Sequence, residues 1–143
     1  MRKLLAEYLG TTLLVAIVVG SGIMATDLTQ DVGLQLLINT IATVFGLAVL
    51  ILILAPISGA HFNPVVTLID LIQGKSSFIQ FLQYAVVQIA GAITGAFLAN
   101  AMFDQVIIQT ATKLRSGSNL YLAEIVATAG LILVINLLVI QKN

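Results

Sequence analysis

The sequence contains no cysteine and no tryptophan, a single histidine and two prolines. Without cysteine there are no disulfides and no thiolate metal sites, and the redox compartment goes unread. Without tryptophan, any aromatic belt at a membrane interface rests on Tyr8, Tyr84, Tyr121 and the phenylalanines. Charge is scarce too: 8% of the 143 residues are Asp, Glu, Lys or Arg, against about 25% in a soluble domain. Six basic and six acidic residues cancel, which leaves no footprint for nucleic acid. His61 has no second ligand spaced for a metal, and no cofactor is expected.

What the chain has in abundance is hydrocarbon. It is 59% hydrophobic with a mean hydropathy of +1.11, which places it in a lipid bilayer. Four apolar stretches, residues 4–25, 34–55, 78–103 and 120–140, reach the roughly 20 helical residues that cross a hydrocarbon core. The expectation is one all-α membrane domain over residues 1–143. Arg2 and Lys3 before the first stretch resemble the start of a signal peptide, but the run is too long and Glu7 near its start is atypical. Arg2, Lys3, Lys75 and Lys142 fall on one side of the membrane, Lys113 and Arg115 on the other. That bias predicts a cytoplasmic N-terminus in a multi-pass protein of the plasma (inner) membrane. Residues 26–33 and 104–119 are then external loops.

One internal repeat is visible. Ala6, Glu7, Thr11 and Leu14 match Ala123, Glu124, Thr128 and Leu131 at a constant offset. If three spans separate the copies, the second starts from the opposite face, the inverted-repeat plan of many transport proteins.

The informative segment is 56–77, which holds both prolines, the histidine and Asn63. Pro64 suits the first position of a helix, where its missing N–H is no loss, and Asn63 before it is a good cap. A helix from Asn63 to about Ile72, ended by Gly74, is too short to span. Small residues Ser58, Gly59 and Ala60 precede it. Irregular backbone of this kind is tolerated at membrane depth only when buried in protein or lining a watery path. Residues 56–74 therefore read as a re-entrant loop and half-helix that dips into the bilayer and returns. The helix tip carries unpaired N–H groups and positive partial charge. It repels cations and accepts a neutral oxygen lone pair. Asn63 adds an amide donor, and the carbonyls of Gly59, Ala60 and His61 add acceptors along the approach.

The run Ser58-Gly59-Ala60-His61-Phe62-Asn63-Pro64-Val65-Val66-Thr67 resembles the first signature loop of the aquaporin and aquaglyceroporin (major intrinsic protein) family. Val65 stands where most members carry Ala. Ala6-Glu7 with Thr11, then Gln88 with Gly91-Ala92 and Gly95-Ala96, then Ala123-Glu124 with Thr128 resemble the first, third and fourth helices of that family in order. The resemblance implies an aquaporin-like half: four transmembrane helices plus one re-entrant half-helix, the start of an inverted repeat. In the family two half-helices meet at two Asn-Pro motifs; this sequence holds one, and nothing around Arg115 resembles the second loop.

Function follows as an expectation: passive diffusion of water or a small uncharged solute of the glycerol or metalloid type, with no bond made or broken. The pore would be completed by another copy or by a complementary half. Asn63, Pro64, Val65, Gly59, Ala60 and His61 are the candidate pore-lining residues, although Asn63 and Pro64 also fit a purely structural cap and the His61 ring a packed structural role. By resemblance Glu7 is a buried carboxylate that anchors the loop; alternatively it is interfacial and wet. Gln88 bonds loop backbone or forms a plain interhelical bond. Gly91-x-x-x-Gly95 reads as a face for close helix contact. In the family, a residue about twenty positions before the signature Asn faces the selectivity filter, which lands on Thr43; aligning on Phe45 instead would imply a strict water filter. Two other readings stand beside the channel: a non-conducting structural or assembly protein, and a proton-coupled exporter driven by Glu7.

Overall fold

The computed structural model describes residues 1–110 and 116–141. Among these residues there is no strand, and the elements in order are α1 (Arg2–Leu28), α2 (Val32–Ser58), α3 (Pro64–Ile72), α4 (Phe78–Met102) and α5 (Ser118–Gln141). Four of the five are long and apolar enough to cross a membrane. The chain divides into two compact units, Met1–Ile108 and Gln109–Asn143. Lys113, Arg115 and Lys142, used above to assign sidedness, lie outside the described residues.

In the first unit α1 packs against both α2 and α4, and α3 lies against α4. The helices run further than the apolar stretches suggest. Thr26, Asp27 and Leu28 continue α1, because polarity alone does not break a helix and no Gly or Pro intervenes. The turn to α2 shrinks to Thr29, Gln30 and Asp31; the Asp31 carboxylate caps α2 by accepting the Leu34 N–H at 2.9 Å. Pro56 sits inside the last turn of α2. There its missing N–H costs the Leu52 carbonyl one partner, but the helix ends two residues later at Ser58.

Two glycines allow α1 and α4 to touch at backbone distance. A Cβ at Gly91 would lie 2.6 Å from the Tyr8 carbonyl oxygen, and one at Gly95 would overlap the Thr12 carbonyl. Tyr8 then reaches across to donate to Thr94 Oγ1 at 3.0 Å. The stripe Tyr84, Gln88, Gly91, Gly95 and Ala99 is the buried face of α4. Tyr84 is therefore no part of an interfacial belt, since only 1% of its surface is exposed. Between α1 and α2, Asn39 Nδ2 donates to the Val18 carbonyl at 2.7 Å and to Ser21 Oγ at 3.0 Å, and Gly46 admits the Ile17 side chain.

The outer surface is apolar. Leu52, Phe45 and Ile79 are among the large hydrophobic side chains left exposed, an arrangement that only lipid or another apolar surface satisfies. The second unit holds α5, which buries none of its described residues and leaves Glu124 exposed.

Candidate functional site

The site is built on the break between α2 and α3. Helix α2 ends at Ser58, and Gly59 follows with φ of 95°, a conformation glycine adopts without strain. Ala60 (φ 52°) and Phe62 (φ 50°) also take left-handed backbone, which costs a non-glycine residue about 1–2 kcal/mol each. Such backbone persists only where its surroundings over-determine it.

Here the determinant is Glu7, which is fully buried. Its Oε1 accepts the Ser58 hydroxyl at 2.6 Å and the His61 N–H at 3.1 Å. Its Oε2 accepts the Phe62 N–H at 2.8 Å and Gln88 Nε2 at 2.9 Å. Four donors surround one carboxylate, which suits a group that can only accept. Ser58, the last residue of α2, and two backbone N–H groups of the loop after it supply three of them, so the strained turn is tied to α1 at three points. Tyr84 adds a fourth tie from α4, donating to the Ser58 carbonyl at 3.0 Å.

Helix α3 starts as its residues dictate. Asn63 caps it, accepting the Val65 N–H through Oδ1 at 2.8 Å, and Pro64 takes the first position. With Oδ1 engaged in the cap, the Asn63 amide N–H donors are left without a partner among the described residues. Gln73 closes the helix and Gly74 follows with φ of 71°. At about 1.5 Å per residue, nine residues make roughly 14 Å, well short of a hydrocarbon core.

Thr67, one turn into α3, is the second hub. Its hydroxyl lies 3.1 Å from Gln88 Nε2, 3.1 Å from His61 Nδ1 and 3.2 Å from the Asn63 carbonyl. Gln88 donates there and to Glu7, so it reaches the loop through two side chains and not through loop backbone. The His61 ring is held on its other nitrogen by Asp70, Nε2 to Oδ2 at 3.2 Å, and packs edge-on against Tyr84 at 5.5 Å. The Asp70 carboxylate requires a proton on Nε2. In the neutral ring Nδ1 is then an acceptor for the Thr67 hydroxyl.

The carbonyls of Gly59, Ala60 and His61 accept no hydrogen bond among the described residues. Asn63 and Pro64 are half-buried and Val65 is exposed. Thr43 stands apart from this loop, on the α2 face that carries Asn39 and Gly46 toward α1; it is half-buried, and its hydroxyl oxygen is covered without a partner. Phe45 is 70% exposed. Sequence reasoning missed Asp70, Tyr84 and the central place of Thr67. The spacing Tyr84, Gln88, Gly91, Gly95 marks one helix face, and that signal was available for Tyr84.

The profile of the major intrinsic protein family matches residues 1–143. The chain belongs to the major intrinsic protein family. It is 50% identical to aquaglyceroporin AqpS of Rhizobium meliloti (strain 1021) over 131 residues, covering 92% of this chain and 56% of that protein. It is 30% identical to aquaporin C of Dictyostelium discoideum over 139 residues, covering 94% and 51% respectively. With aquaporin NIP1-2 of Arabidopsis thaliana it shares 35% over 147 residues, covering 95% and 49%. The chain thus spans about half the length of these relatives. Family membership and the four apolar helices make it an integral, multi-pass membrane protein. Aquaporins of this family are channels and not enzymes.

Proposed function

We propose that this chain is an aquaporin-like channel subunit for passive diffusion of water or a small uncharged solute. The observation that carries the reading is the loop from Gly59 to Asn63. Three consecutive carbonyls without partners among the described residues lead to a capped helix tip whose asparagine carries amide donors. A neutral solute with lone pairs and O–H groups exchanges its water shell for that row. The positive end of α3 repels cations at the same point. Glu7, with Gln88 and Thr67 behind it, holds the carbonyls in a conformation the loop would not keep alone.

In this reading residues 1–143 form one membrane domain, residues 56–74 re-enter the bilayer, and the N-terminus faces the cytoplasm in the plasma (inner) membrane. Gly59, Ala60, His61, Asn63, Pro64 and Val65 line the path, and Thr43 contributes to a filter further out. The likeness to a protein named aquaglyceroporin favours a solute of glycerol type or a metalloid hydroxide of similar size. The pore is completed by another copy of this chain or by a complementary half.

The test is stopped-flow light scattering on proteoliposomes, with water and glycerol gradients compared and the mass of the detergent complex measured alongside. Permeability above that of protein-free vesicles supports the reading. A folded, inserted protein that leaves permeability at the lipid baseline supports a structural or assembly role instead.

A further inference from the structure

The neighbouring ends of α1 and α2 form a second feature, which the permeation reading does not use. An open groove of about 580 Å³ lies between the first turns of α1 and the last turn of α2. Its apolar walls include Leu5 and Leu9 from α1 and Leu54 and Ile57 from α2, and Arg2 and Lys3 stand at its mouth. Both cations are exposed. Neither pairs with a carboxylate: the ion pair found among the described residues is His61 with Asp70. The acid nearest in sequence, Glu7, is fully buried and occupied by its four donors.

The depths of these groups differ in a telling way. At about 1.5 Å per residue, Leu5 lies roughly 5 Å and Leu9 roughly 10 Å below Arg2 along α1. Charge at the top of an apolar furrow about 10 Å deep, open on its side, matches the profile of a phospholipid: phosphate at the rim, glycerol and first methylenes below. A soluble anion would satisfy Arg2 and Lys3 but leave Leu5, Leu9 and Ile57 in water. A zwitterionic lipid would fill the furrow but bring a cation of its own to the two already there.

We propose that this groove binds an anionic phospholipid, its acyl chain along Leu5, Leu9, Leu54 and Ile57 and its phosphate against Arg2 and Lys3. The inference stands independently of whether the chain conducts.

The experiment uses the full chain purified in a non-ionic detergent. Phosphatidylglycerol or phosphatidylcholine with identical acyl chains is added, and bound lipid is counted by intact-complex mass spectrometry, with Tm measured in parallel. Phosphatidylglycerol should be retained about 25-fold better, since each of the two interfacial cations adds about fivefold attraction for anionic lipid. The double variant Arg2→Gln, Lys3→Gln should lose that preference while keeping its phosphatidylcholine count and lipid-free Tm, because both side chains are exposed. Leu5→Trp, which fills the groove from an exposed position, should lower retention of both lipids. Equal retention of the two lipids overturns the proposal, as does a preference that survives the double variant. Displacement of the lipid effect by glycerol phosphate assigns the cations to a soluble phosphate and overturns it too. A change in oligomer mass without a change in lipid retention marks the groove as a contact between copies, and is likewise fatal to it.

Discussion

Glu7 accepts the Phe62 N–H at 2.8 Å, while the Phe62 ring lies where a Cβ on Gly10 would be. Glu7 and Gly10 are three residues apart on α1 and share a face. One helix therefore fixes Phe62 twice, by its backbone and by its ring. That double hold forces φ of 50° on a bulky residue, and with it sets the direction of the carbonyls that precede Asn63.

Replacing Glu7 by Gln tests the backbone half of this hold. The amide has one acceptor oxygen and two donors, set against four donors that now meet a carboxylate. At least one buried N–H or O–H loses its partner, at a cost of about 1–3 kcal/mol, in addition to weaker bonds for the rest. We expect Glu7→Gln to lower Tm in detergent by on the order of 10 °C and to expose residues 59–63 to proteolysis. An unchanged Tm and an intact loop would mean that Tyr84 and Thr67 suffice to hold it.

The glycines give a paired test of helix packing. A Cβ at Gly95 overlaps the Thr12 carbonyl, whereas one at Gly130 on α5 meets nothing within 4 Å. Backbone does not yield as a flexible side chain does. Gly95→Ala should therefore destabilise the first unit by about 1–3 kcal/mol, and Gly95→Val by more. Gly130→Ala should be neutral or slightly stabilising. Thermal melts of the three variants under one detergent condition check the order; equal melts for Gly95→Ala and the parent would contradict the close α1–α4 approach.

Much of this was legible in the sequence, for reasons that separate cleanly. The four long helices follow from apolar runs, which the membrane makes nearly sufficient. The short helix at Pro64 follows from local cap chemistry, because Asn63 and Pro64 act within three residues of themselves. What local rules do not carry is pairing across the chain. Tyr84 looked like an interfacial aromatic, yet it is buried against Ser58, 26 residues away. Asp70 carries no local signal of its role, yet it holds the His61 ring from nine residues on. Helix ends also ran past the apolar stretches, since Thr26 and Asp27 are compatible with a helix that no Gly or Pro stops.

Tyr84→Phe isolates one tie on the loop. The ring and its edge-on contact with His61 at 5.5 Å remain; the hydrogen bond to the Ser58 carbonyl is lost, together with the phenol's contact with Gln80. A single neutral hydrogen bond contributes about 1 kcal/mol net, and the stranded carbonyl adds to the loss. Tm should fall by a few degrees, clearly less than for Glu7→Gln. A fall as large as that of Glu7→Gln would shift the main anchor of the turn from α1 to α4.

Asn63 is the residue on which structure and permeation part company. Its Oδ1 caps α3, and Asp is as good a cap as Asn, so Asn63→Asp should keep the fold and the melt within about 0.5 kcal/mol of the parent. What it removes is the pair of amide donors, replaced by a carboxylate at the point where a solute meets the helix tip. Asn63→Ala, in contrast, loses the cap as well and should cost about 1 kcal/mol. If the path runs past this tip, both variants reduce solute permeability in proteoliposomes at matched protein content. Asn63→Asp then does so without a stability change. Retained permeability in a well-folded Asn63→Asp protein would leave the residue as a cap and nothing more, and the row of carbonyls before it would need another purpose.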